Sequence, residues 1–119
     1  MSETLIQSSN ESFSVGEDYR LNITLSGIKV NNEVVSFQQA GRSVTYTLST
    51  LDGAILAEGA MTTNDGNIWH LLIPPAQTAQ FDIKAATYAN VIITLRAPDL
   101  DVTRFFTHKV LINPAPGGI

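Results

Sequence analysis

Cysteine is absent from all 119 residues, which removes thiol nucleophiles, thiolate metal sites, iron–sulfur clusters and disulfide staples together. Charge is scarce as well. Only 15% of residues are charged, 7 basic against 11 acidic, for a formal net charge of -4. That balance offers no basic field for a phosphate backbone, so nucleic acid is not an expected partner. No run approaches the ~18 consecutive apolar residues of a membrane-spanning helix, and no membrane association is expected. The opening Met1-Ser2-Glu3-Thr4 carries neither the basic nor the apolar region of a secretory leader, which points to synthesis in a cytoplasm. Long 3.6-residue periodicity is missing throughout.

What is present is alternation. Apolar residues make up 44% of the chain, enough for one self-sufficient core in a domain of this length. Tyr19, Leu21, Ile23 and Leu25 alternate with Arg20, Asn22 and Thr24, placing one set on each face of a strand. Val44, Tyr46 and Leu48 alternate with threonine and serine in the same way. Trp69, Leu71 and Ile73 share a phase, with Ile68, His70 and Leu72 opposite them. In Tyr88 to Leu95 the inward set is Ala89, Val91, Ile93 and Leu95. Thr103 to Asn113 is the last expected strand, its core set Phe106, Val110 and Ile112 with His108 in register.

Turn chemistry separates these runs. Asn31-Asn32 and Asp52-Gly53 suit tight hairpins, the latter predicting a type I′ turn, and Asn64-Asp65-Gly66 precedes the tryptophan strand. Pro74-Pro75 ends that strand and predicts a single helical turn within Ala76 to Phe81. The reading is all-β, an antiparallel immunoglobulin-like β-sandwich of about seven strands over residues 17–113. Residues 1–16, with five serines and one apolar pair, read as an extended N-terminal arm that orders only against a partner. Residues 114–119, rich in proline and glycine, read as a flexible C-terminal tail.

Candidate chemistry is sparse. His70 and His108 lack a G-x-S-x-G elbow for a nucleophilic relay and lack H-x-H or H-E-x-x-H spacing for zinc. Asp52, Asp65, Asp99 and Asp101 offer oxygen ligands for calcium, but aspartate sits in turns because its side chain bonds nearby backbone donors. The glycines form no phosphate-binding loop. Catalytic, cofactor-binding and metal sites are therefore expected to be none. Trp69, in phase with Leu71 and Ile73, reads as core.

The remaining signal is apolar residues at outward phases: Ile68, Leu72, Ile92, Phe105 and Leu111. With Leu5, Ile6 and Phe13 of the arm and Pro114 and Pro116 of the tail, they form the candidate protein interface. The run Phe13-Ser14-Val15-Gly16-Glu17-Asp18-Tyr19, then Val44-Thr45-Tyr46-Thr47-Leu48 with Asp52-Gly53, then Asp65-Gly66-Asn67-Ile68-Trp69, resembles small immunoglobulin-like structural proteins of tailed bacteriophage virions. That resemblance implies a non-enzymatic virion subunit: a head decoration or cement protein, a head-to-tail joining protein, or a baseplate attachment domain. Its implied partners are major capsid, neck or tail proteins, bound by many copies or a homo-oligomer. Its implied location is the virion, after synthesis in the host cytoplasm. A carbohydrate-binding module stacking sugar on Tyr88 or Trp69 is the alternative; a small hydrolase using His70 or His108 is a third reading.

Overall fold

The structure is a computed structural model describing residues 5–9, 11–25 and 28–116. Its strands are β1 (Leu5–Ser9), β2 (Ser12–Ser14), β3 (Tyr19–Thr24), β4 (Lys29–Val30), β5 (Glu33–Val34) and β6 (Ser43–Thr50). They continue with β7 (Ile55–Ala60), β8 (Thr62–Thr63), β9 (Ile68–Ile73), β10 (Thr87–Ala97) and β11 (Val102–Asn113). The described residues also include a helical turn, α1 (Pro75–Thr78), and a 3-10 turn at Pro98–Leu100.

Alternation assigns the inward sets, and the inward sets close two layers on one core. A four-stranded sheet runs β1-β3-β9-β8 and a five-stranded sheet β2-β11-β10-β6-β7, with β4 and β5 as a separate ribbon. The pairings are antiparallel except β11 with β2, which is parallel. This order, with the first strands divided between the sheets, is an immunoglobulin-like β-sandwich. Tyr19, Leu21, Ile23, Leu71 and Ile73 of one sheet meet Val44, Leu48, Val91, Ile93, Leu95, Val110 and Ile112 of the other, all buried. Burial of apolar surface at ~25 cal/mol per Å² therefore holds the layers together without a cross-link.

The connections follow local chemistry. Asn31 and Asn32 both adopt positive φ, at 54° and 68°, as the β4–β5 hairpin requires. The β6–β7 turn departs from the type I′ expectation. Only Gly53 is left-handed, φ 98°, and its N–H donates to Thr50 O while the Thr50 N–H donates to Ala54 O. A four-residue turn ending in a left-handed glycine results, and Asp52 keeps negative φ because its carboxylate accepts from the Thr50 hydroxyl and the Ala54 N–H. Pro75 opens α1, as expected. The buried Thr78 hydroxyl donates to Glu17 O at 2.7 Å and accepts from the Gly16 N–H at 3.1 Å, tying the crossing segment to the turn before β3.

At the opposite end, Arg42 grips Asp99 through two N–H groups, at 3.2 and 2.7 Å, and donates a third to Ser36 O at 2.9 Å. One guanidinium thereby joins the segment before β6 to the β10–β11 turn.

Among the first sixteen residues, the described ones pair within the chain's own sheets instead of forming the arm expected to order only against a partner. β1 pairs with β3, and β2 pairs with the end of β11. Phe13, placed above in the candidate interface, is 3% exposed, its ring 5.0 Å from that of Tyr19 and 6.4 Å from that of Phe81. The polar composition misleads because a short edge strand needs only one inward side chain. Of the tail, Asn113 O accepts from the Val15 N–H at 3.0 Å, Pro114 is half-buried and Pro116 exposed. Residues 117–119 lie outside the described residues.

Candidate protein-binding surface

The two histidines sit on different sheets, His70 on β9 and His108 on β11. His70 Nδ1 lies 2.7 Å from Asn22 Oδ1 on the neighbouring strand. Asp52 and Asp65 spend their oxygens on donors of their own turns, and Asp99 on Arg42. The Arg42 guanidinium holds the Asp99 carboxyl below the usual carboxylate range. The Thr50 hydroxyl and Ala54 N–H do the same for Asp52, and the N–H groups of Ile68 and Asn67 for Asp65. Among the described residues no three His, Asp or Glu side chains gather as metal ligands. Trp69 is 6% exposed, its indole N–H donating to Gly66 O at 3.3 Å, so the sugar-stacking role considered for it is closed by the core.

The expected interface residues divide between two faces. Ile68 and Leu72 are exposed on the outer face of the four-stranded sheet, beside Thr24 and Arg20. Ile92, Phe105 and Leu111 lie on the outer face of the five-stranded sheet, on the far side of the core. Phase tells which side of a strand a residue takes, not which sheet the strand joins; a single patch of these five is therefore not formed. Leu5 and Ile6 belong to β1, opposite Thr24 and Ile23, so the strand expected to grip a neighbour is taken up by its own sheet.

The five-stranded sheet carries the larger apolar outer surface. Across it, Leu111 stands beside Tyr88, Lys109 beside Asn90, Thr107 beside Ile92, and Phe105 beside Thr94. From β6, Ser49, Thr47 and Thr45 continue three of these rows. Phe105 is 63% exposed, Ile55 59% and Tyr88 51%, with Ile92 and Leu111 half-buried between them. Lys109 Nζ sits 5.5 Å from the Tyr88 ring centroid, a cation–π contact. Next to Tyr88 a shallow depression of about 420 Å³ is lined by residues including Leu51, Asp52, Asp82, Ile83 and Lys84.

Ile55 escapes sequence reasoning for a definite reason. It shares a phase with Ala57, which is buried. The register pairs Leu48 with Ala57 but Ser49 with Ile55, leaving Leu56 as an extra residue. That bulge turns Ile55 to the outer face. No local residue pattern announces it.

No protein-family model and no curated protein matches the chain. Among solved structures, it is similar to part of a β-glucosidase from Listeria innocua in complex with isofagomine: 12% identity, TM-score 0.49, covering 95% of this chain and 16% of that one. The complex of the β-glucosidase from the same organism with glucose gives 12% identity and TM-score 0.49, covering 93% and 16%. This chain thus spans about a sixth of those enzymes, and the overlap is too loose to carry their activity across.

Proposed function

We propose that the protein is a non-enzymatic structural subunit of a tailed-phage virion. In this reading it binds neighbouring capsid, neck or tail proteins through the outer face of the five-stranded sheet. The observation that carries it is the concentration of Phe105, Ile55, Tyr88, Ile92 and Leu111 on one sheet surface, since apolar side chains collected on a folded surface mark a contact site. Threonine, serine and Asn90 fill most of the spaces between them, so Lys109, Glu58 and Arg96 are the charges on this face that a closing partner would meet. The resemblance of its turn and alternation pattern to that of virion sandwiches supports the particular setting.

The test is incorporation. Antibody against the protein should label purified tailed-phage particles in electron micrographs, and Ile55→Asp protein should fold yet fail to join them. Particles that lack the protein, or that take up the variant at the unmutated level, would overturn the proposal.

Tyr88 favours a second reading as a sugar-stacking platform, because its exposed ring borders a depression containing Asp52, Asp82 and Lys84. Glycan-array binding lost in Tyr88→Ala would support it. An array without signal would remove it.

A further inference from the structure

We infer that two copies of this chain join edge to edge through β11, pairing antiparallel about a two-fold axis at Phe105 to make one continuous ten-stranded sheet. The argument begins with the unused side of β11. On one side it pairs with β10 from Val102 to Ile112 without a register break. On the other, β2 covers only Leu111 to Asn113. Among the described residues, no strand covers Thr103 to Lys109 on that side.

The free backbone groups can be identified by parity. Leu111 N–H donates to Glu11 O, and Asn113 O accepts from Val15 N–H, so odd-numbered residues of β11 turn their backbone groups away from β10. Direction alternates along a strand. Thr103, Phe105, Thr107 and Lys109 therefore present their N–H and C=O to the open edge. A two-fold at Phe105 sets odd opposite odd: Phe105 against Phe105, and Thr103 against Thr107 of the second copy. Each is a pair that exchanges two main-chain hydrogen bonds in an antiparallel ladder.

Side chains select this register and this occupant. Phe105, 63% exposed, meets its own copy as an aromatic cross-strand pair flanked by Thr–Thr pairs, combinations that favour strand pairing. On the inner side Arg104 falls opposite Phe106, so no like charges meet. Beyond the threonines, the exposed Lys109 reaches the level of the exposed Asp101 of the second copy, at both ends of the seam. Moving the axis to Phe106 places Arg104 against His108 and Phe105 against Thr107, losing both advantages. The other long edge, β7, is bulged at Leu56 and bears an outward Glu58, both features that discourage pairing.

The proposal concerns a second copy and does not depend on the virion reading. Sedimentation of the full chain should give a dimer. Phe105→Lys, which sets two cations together at the axis, should halve the mass while leaving the circular dichroism unchanged. Thr107→Pro removes an N–H that no strand of its own sheet uses, and should do the same. Because the chain has no cysteine, register is read directly. Phe105→Cys should cross-link to its copy on oxidation, its Cα atoms ~5.5 Å apart, whereas Thr103→Cys, displaced by ~13 Å along the strand, should not. A wild-type chain that sediments as a monomer, a dimer that survives Phe105→Lys, or equal cross-linking at both positions would overturn the inference.

Discussion

Replacing Phe13 with alanine tests whether the serine-rich beginning of the chain belongs to the core. Phe13 is buried against Tyr19 and Phe81, and β2 has no other buried residue. Truncating a buried phenylalanine costs about 3 to 5 kcal/mol through lost burial and residual cavity. A domain of this size unfolds with ~2.1 cal/mol/K per residue, so each kcal/mol lowers Tm by roughly 4 °C. The variant should therefore melt roughly 12 to 20 °C lower, against a total stability of about 5 to 15 kcal/mol. Fluorescence of Trp69, buried in the same core, follows the transition in urea or on heating. Leu72→Ala, on the exposed outer face, is the control and should change stability by under ~0.5 kcal/mol. Deleting residues 1–16 removes β1, β2 and Phe13 together and should abolish a cooperative transition. A Phe13→Ala melt within 3 °C of wild type would refute the reasoning, because an arm packed on its own sheets cannot lose its anchor without cost.

Further outcomes follow from other sites. The Tyr19 hydroxyl is buried with no hydrogen-bond partner among the described residues, so Tyr19→Phe should leave stability unchanged or raise it by about 1 to 3 kcal/mol in urea titrations. Burial also pushes the Tyr19 phenol upward. Its contribution is intact below the unfolded value near 10 and is lost as pH rises towards the folded one; Tyr19→Phe should flatten that alkaline decline. Gly59 lies under the Tyr46 ring, where an added Cβ would meet ring atoms at 3.2 Å, so Gly59→Val should cost about 1 to 3 kcal/mol by overpacking, read as a lower urea midpoint. With Asp99 held below its ordinary value by Arg42, stability is fully present above about pH 4 and declines as pH falls through the folded value. Asp99→Asn should remove that part of the acid limb in a pH series of thermal melts.

Much of the sandwich was legible because a half-buried strand writes its period into the sequence. Tyr19, Leu21 and Ile23, or Ala89, Val91, Ile93 and Leu95, have no other phase that buries them all. Trp69 was assigned to the core by the same logic. Phe13 was not legible, since one aromatic among serines shows no period and, Tyr19 apart, what it packs against, β11 and Phe81, lies far along the chain. The outer surface was legible only in part. Phase exposes Phe105 and Ile68 alike but not their separation onto opposite sheets, and the bulge at Leu56 hides Ile55. Asp52-Gly53 marks the position of its turn but not the backbone, because Asp-Gly fits both a two-residue turn and a longer one ending in a left-handed glycine.

Single-cysteine reporters in this cysteine-free chain test the use of the five-stranded sheet most directly. Ile55→Cys, on that sheet, and Leu72→Cys, on the other, would each be labelled with a maleimide, free and after incorporation into particles. Assembly should slow labelling at position 55 at least tenfold and leave position 72 unchanged. Protection at 72 with free labelling at 55, or no protection at either, would contradict the account.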